Sequence, residues 1–294
     1  VKKLSIGGIN FAFSSPEYPI FPLNSIFRKF STPDSSPHIS IEFSSSFHDK
    51  TYTAKFIGNN PGNWEIYKKE NTYIIHGYDS ITRKKNRVLL IDKNFQTGTY
   101  YSPPDTNLLT NQKGWFIPRF FSPFGELLII NHLSARKGVL FHGAALKLNN
   151  EVWIFTGPPE AGKSTIMRFW EESGIGTPLN DETIIIREGN KGTFQVFGTP
   201  WGGTAEVQSP EKGRLKRIFF LHHDSHHVIT PLSPSNTLSR LIPQVFLPFW
   251  EKEKLENVLS LLEQINQKAM FFSLGFAKNR DVVDFLLKNF KECG

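Results

Sequence analysis

The chain has little sulfur. Its 294 residues contain one cysteine, Cys293, so no intramolecular disulfide can form. That pattern is expected of a reducing compartment, and a cytoplasmic location is the expectation. No run of about 18 apolar residues occurs, so a membrane span is not expected. The first residues, Val1-Lys2-Lys3-Leu4-Ser5-Ile6-Gly7-Gly8, lack the apolar stretch of a secretion signal. No internal repeat is visible. What is abundant is aromatic: 27 Phe and 6 Trp, within a hydrophobic content of 39%, supply a sizeable core.

The net charge is +7, most of it in residues 1–130. The densest basic cluster is Arg83-Lys84-Lys85-Asn86-Arg87. Strand-like runs flank it, so it reads as a solvated hairpin. A nucleic-acid patch or an attractor for an acidic substrate are the other readings, and nucleic acid is not the expected partner.

Two domains are expected. Residues 1–122 read as β-rich, with strands at Ile39–Phe43, Trp64–Tyr67, Thr72–Gly77 and Arg87–Ile91. Residues 14–37, rich in Ser and Pro, read as irregular, and Tyr100–Pro104 as the exit from the domain. This half shows no chemical motif and is a candidate for substrate or partner recognition. Residues 123–294 read as α/β. A helix is expected from Gly125 to about Arg136, then a strand over 139–148, a turn at Asn149-Asn150 and a strand at Val152–Phe155. Further strands are expected at Ile184–Ile186, Gln195–Phe197 and Arg217–Leu221. Helical spacing joins Leu255, Val258, Leu259, Leu262 and Ile265, and also Val282, Val283, Leu286 and Phe290.

Directly after Val152–Phe155 comes Gly157-Pro158-Pro159-Glu160-Ala161-Gly162-Lys163-Ser164-Thr165, which satisfies G-x-x-x-x-G-K-[ST]. The glycines permit a tight turn that presents bare N–H groups to phosphate oxygens, and the following helix directs its positive end at the same anion. Lys163 is placed to reach the outer phosphates, and the Ser164 hydroxyl is the expected Mg²⁺ ligand. A chance glycine-rich turn would not carry both the preceding apolar strand and the following helix. Asp181 and Glu182 lie about one helix and strand further on, where a carboxylate can hold Mg²⁺ or accept a proton from an attacking hydroxyl. His142 precedes the loop strand and would meet the phosphates if the two strands pair; an ordinary core histidine is the alternative.

Three weaker signals remain. Gly198-Thr199-Pro200-Trp201-Gly202-Gly203-Thr204 is a second glycine-rich loop, either a lid with Trp201 as a wall or a rigid turn. His222-His223-Asp224-Ser225-His226-His227 reads as a solvated hairpin tip rather than a metal site. Asp224 is a rival acid, because it follows an apolar strand as in many nucleotide hydrolases.

Taken in order, His142-Gly143-Ala144-Ala145, Gly157–Thr165 and Leu179-Asn180-Asp181-Glu182 resemble the catalytic domain of the HPr kinase/phosphorylase superfamily. The nucleotide fold of that superfamily is similar to that of ATP-dependent phosphoenolpyruvate carboxykinase. The resemblance spans about residues 125–290 and is nearest to the HPr-kinase-related proteins of bacteria, some of which phosphorylate serine on peptides or proteins. It implies a phosphate-loop mixed sheet with flanking helices, ATP and Mg²⁺ as cofactors, and a hydroxyl-bearing acceptor. Residues 157–165 would bind nucleotide, and Lys163, His142 and Asp181 would be catalytic, with Asp181 as base. Ser164, Asp181 and Glu182 would serve the metal. A homo-oligomer is compatible with it. The chain departs from the family in Asn180, in Glu at 182 and in its front half, and it lacks the segment used for phosphorolysis, so kinase activity is implied rather than phosphorylase. The rival readings are a nucleotide-gated binding protein and a hydrolase using Asp224.

Overall fold

The computed structural model describes residues 1–20, 25–46, 53–78, 84–106, 113–115 and 117–290. Cys293 and Arg83 lie outside them. The chain divides into two compact units, Val1–His132 and Leu133–Gly294. Each is built on a mixed sheet, and the whole is mixed α/β.

The first unit contains β1 (Lys2–Ile6), β2 (Ile9–Ser14), β3 (Ile39–Ser44), β4 (Lys55–Asn60), β5 (Trp64–Lys69), β6 (Thr72–Tyr78), β7 (Lys85–Asp92) and β8 (Thr97–Tyr101). They form one sheet in the order β1-β2-β3-β8-β7-β6-β5-β4, with β3 parallel to both β2 and β8. A two-stranded ribbon joins β9 (Asp105–Thr106) to β10 (Lys113–Gly114). Short helices α1 (Ser25–Arg28) and α2 (Ile117–Phe120) precede α3 (Glu126–Ser134). The alternation in β3 buries Ile39, Ile41 and Phe43 and turns Glu42 outward.

Two strands absent from the sequence reading, β1 and β2, turn through Gly7 and Gly8, both at positive φ. That pair is a two-residue hairpin signal in its own right. Tyr100 and Tyr101, expected as an exit, belong to β8. The first unit extends to His132, past the expected 122/123 border, and Phe124 beyond that border packs on its sheet as Phe120 and Phe121 do before it. Phe120 lies 5.5 Å from Phe13, Phe121 5.3 Å from Phe11, and Phe124 5.3 Å from Tyr100. Of the basic cluster, Lys85, Asn86 and Arg87 open β7, which pairs antiparallel with β6. The cluster is only partly solvated, however. Arg87 is buried and donates to the carbonyls of Tyr78, Arg119 and Ser122, and Lys85 pairs with Glu65 at 2.6 Å.

The second unit carries β11 (Gly138–His142), β12 (Ala144–Leu148), β13 (Glu151–Thr156), β14 (Thr177–Asn180), β15 (Thr183–Glu188), β16 (Phe194–Phe197), β17 (Lys212–His223), β18 (Val228–Pro231) and β19 (Met270–Phe276). The sheet order is β11-β15-β16-β17-β13-β12-β14. The long β17 has β13 along one edge; its other edge is shared by β16 at the start and β19 at the end. Strands β13, β17 and β19 run parallel, and β18 closes the far side of β19.

Helices cover both faces. Val152 and Ile154 of β13 and Ile218 and Phe220 of β17 meet α6 (Lys252–Lys268) in one apolar layer, together with Leu241 of α5 (Pro234–Leu241). The alternate residues Trp153, Phe155, Phe219 and Leu221 meet α4 (Lys163–Ser173) and α7 (Asp281–Phe290) in the other. Buried on both faces, these central strands read as continuous apolar runs.

The Asn149-Asn150 turn does join β12 to β13. The single strand expected over 139–148 is two strands. It breaks at Gly143, whose N–H donates to the Glu182 carbonyl, so β11 pairs with β15 while β12 pairs with β13. Residues 222–227 are not a hairpin tip, because β17 and β18 lie on opposite edges of β19. Among the described residues no helix is long and apolar enough to cross a membrane.

Helix α6 buries Val258, Leu261, Leu262 and Ile265, whereas Leu259, grouped with them by spacing, is 37% exposed. Leu262→Ala is therefore expected to cost about 2–5 kcal/mol in urea denaturation, and Leu259→Ala within about 0.5 kcal/mol. Equal costs would mean that the helix faces its sheet differently.

Candidate functional site

Strand β13 ends at Thr156, opposite Phe220 of β17, and the chain leaves the sheet there to form the Gly157–Gly162 loop. Gly162 caps α4 in the left-handed region, at φ 103°. A Cβ on it would also lie 2.6 Å from the Phe276 ring, so the position excludes side chains twice over. Gly157 passes close to β17, where a Cβ would be 3.0 Å from the Leu221 carbonyl oxygen. Ala161 turns into the core, while Pro158, Pro159 and Glu160 are exposed. The amide groups at the start of α4 have no side-chain cap.

Lys163 folds back under the loop. Its Nζ donates to the carbonyls of Gly157 (3.1 Å) and Pro158 (3.3 Å). Burial pulls its pKa below the ordinary lysine value, with Glu182 opposing. The loop faces a cavity of about 590 Å³ lined by Lys163, Ser164, His142, Glu182, Thr204 and His223.

His142 reaches this cavity by a different route from the expected one. It ends β11, which pairs with β15 rather than β13. Its carbonyl accepts a hydrogen bond from the Thr156 hydroxyl at 2.9 Å, which ties it to the base of the loop. Its Nδ1 lies 3.4 Å from Glu182 Oε1. Burial holds the imidazole pKa below its ordinary value, the Lys163 charge acts in the same direction, and Glu182 opposes both. The ring is therefore neutral at pH 7.

The two neighbouring acids part company. Asp181 is fully buried, and its oxygens accept the N–H groups of Gly203 (2.8 Å) and Ala205 (2.7 Å). Asn180, also fully buried, accepts the N–H groups of Glu182 and Thr183 and donates to the carbonyls of Thr199 (3.0 Å) and Trp201 (2.8 Å). The pair thus pins the second glycine-rich loop. Gly203 is required there, since a Cβ would stand 2.7 Å from Asp181 Oδ2 and 3.0 Å from Glu182 Oε2. Asp181, expected as base and metal ligand, is buried here and anchors that loop, each of its oxygens accepting one backbone N–H. Glu182 is the acid that lines the cavity. Trp201, expected as a wall, does not line it; Thr204 does.

Asp224 sits exposed past the end of β17 and accepts the His226 N–H, which lowers its pKa. It is not among the residues that line the cavity, whereas His223 and Lys278, which the sequence reading missed, are. The signal for His223 was the parallel pairing of β13 with β17, which sets the end of β17 beside the loop.

Replacing Asp181 by Asn would point an amide N–H₂ at a backbone N–H. Asp181→Asn is expected to lose about 1–3 kcal/mol of stability and to speed hydrogen exchange at Gly203 and Ala205. Unchanged exchange at both amides would remove the anchoring role. In proton–carbon NMR, His142 should titrate below about pH 6.5, and Lys163→Met should raise its midpoint, because a cation that disfavours the imidazolium is gone. A midpoint that stays put would show that the two side chains do not share the cavity.

No protein-family model matches the sequence, and no curated protein matches it. Among solved structures, the Hpr(Ser) kinase/phosphatase from Coxiella burnetii is similar at 8% sequence identity and a TM-score of 0.31, over 51% of this chain and 94% of that one.

Proposed function

We propose that the second unit is an ATP- and Mg²⁺-dependent kinase of the HPr-kinase-like type. It transfers the γ-phosphoryl group to a hydroxyl, most readily serine of a peptide, protein or small metabolite. One observation carries this reading. The Gly157–Thr165 loop, with Lys163 and Ser164, faces His142 and Glu182 across a single cavity. Donors for a polyphosphate and an acid–imidazole pair for a hydroxyl proton therefore share one space.

The loop amides and the start of α4 hold the phosphates, and Lys163 exchanges its two carbonyl partners for phosphate oxygens. The Ser164 hydroxyl, with Glu182 nearby, suits Mg²⁺, which commonly takes one or two protein ligands besides phosphate and water. Mg²⁺ would neutralise charge on the phosphates. Glu182 takes the proton of the acceptor hydroxyl as its oxygen bonds to the γ-phosphorus, the bond to the bridging oxygen breaks, and ADP leaves. Neutral His142 orients the Glu182 carboxylate. Asp181 sets the position of the second glycine-rich loop; it would act as the base itself only if that loop released it. The reading places the protein where ATP is plentiful, in the cytoplasm.

Calorimetric titration with MgATP should show saturable binding that Lys163→Ala weakens. Glu182→Gln should still bind MgATP, more weakly for want of a carboxylate beside the metal, and transfer about 100-fold or more slowly to a serine-containing acceptor. Normal turnover by Glu182→Gln, with transfer lost in Asp181→Asn, would return the base to Asp181. Tight binding with no phosphorylated product from any acceptor would favour a nucleotide-gated binding protein.

A further inference from the structure

A second cavity, of about 500 Å³, opens against Gly157 and Pro158, at the opposite end of the loop from Ser164 and Thr165. Its polar side chains are Arg240, Gln244, His222 and Ser273, and no carboxylate lines it. Arg240 stands in the last turn of α5, exposed, with its guanidinium carbon 5.8 Å from the Phe220 ring centre. Among the described residues no carboxylate pairs with it. The acid nearest in chain to His222 is Asp224, which accepts the His226 N–H and does not line the cavity. The His222 ring is held by Ser273, at 3.3 Å.

The place of this cavity along the loop gives it a direction. Lys163 Nζ rests on the carbonyls of Gly157 and Pro158, so the group that reaches the outer phosphates sits where the second cavity begins. Gln244 Oε1 lies 3.0 Å from the Thr156 hydroxyl, whose one proton it shares with the His142 carbonyl at 2.9 Å. One wall of the cavity is thereby fixed to the residue that faces Glu182. The cavity thus has the loop and Lys163 on one side and a guanidinium, an amide and an imidazole on the other. An unpaired guanidinium in a cavity without acids favours an anion, and its planar fork suits a carboxylate.

We propose that this second cavity seats the acceptor, and that the acceptor carries a carboxylate close to its reacting hydroxyl, held by Arg240 with Gln244 and His222 as hydrogen-bonding partners. The assignment rests on the kinase reading for the hydroxyl; the carboxylate site stands on the cavity itself. The carboxylate can belong to a free hydroxy amino acid or to an acidic residue beside a serine in a peptide.

The test uses two matched pairs of probes, with the protein saturated in MgADP. L-serine is compared with L-serinamide, and the blocked peptide Gly-Ser-Asp-Gly with Gly-Ser-Asn-Gly, by ligand-observed NMR titration. In at least one pair the acid should bind about tenfold or more tightly than its neutral mate, and the pair that shows this identifies the source of the carboxylate. Arg240→Glu should abolish the preference and Arg240→Lys retain part of it. Calorimetry with MgATP should give the native affinity for both variants, which also reports that they fold. Equal binding within both pairs, no binding by any probe, or a preference that survives Arg240→Glu would each overturn the proposal. If the acid preference holds while MgATP fails to bind, the kinase reading falls and the carboxylate site remains.

Discussion

The parallel pairing of β13 with β17 is the constraint on which the second unit depends. Both strands send alternate apolar side chains to opposite faces, so each helical layer is anchored to the same two strands. Because both faces are covered, neither strand can continue past the sheet without exposing backbone, and polar chemistry collects where the strands end. At that edge β13 turns into the glycine loop and β17 delivers His222 and His223. The two cavities lie at either end of one loop because one strand supplies the loop and its neighbour supplies part of both linings.

Polar groups buried near this edge are matched rather than merely enclosed. A carboxylate taken from water needs donors of comparable strength, and two backbone N–H groups provide them for Asp181. Asn180 uses both ends of its amide to join one strand end to a loop some twenty residues away. These fixtures hold the sheet end rigid, and a rigid support places a site better than loops alone can.

Local signals in the sequence carried far, and distant ones did not. The glycines and Lys163 of the loop were legible, because the turn and the helix that follows are dictated within ten residues. The Asn149-Asn150 hairpin and the alternation of Ile39, Ile41 and Phe43 were legible for the same reason. Gly7-Gly8 carried an equally local signal that the reading passed over. The division of labour between Asp181 and Glu182 was not legible: what separates them is the pair of amides at Gly203 and Ala205, brought near only by the fold. Leu259 shows the same limit on a smaller scale. Its spacing fits a buried stripe, but the stripe that meets the sheet is centred on Leu262, and only the partner surface decides which. Phe124 joined the first unit because its sheet offered the Tyr100 ring to meet it, a fact absent from its own segment.

Lys163 has two partners within its own loop. Its ammonium is therefore a tenant of the space that a ligand must take over, and any anion competes with the protein's own carbonyls. A singly charged ion meets one lysine and must offset both lost bonds. A polyphosphate replaces them several times over with the loop amides. Under the proposed kinase reading, this self-contact is a threshold that selects ligands by charge number.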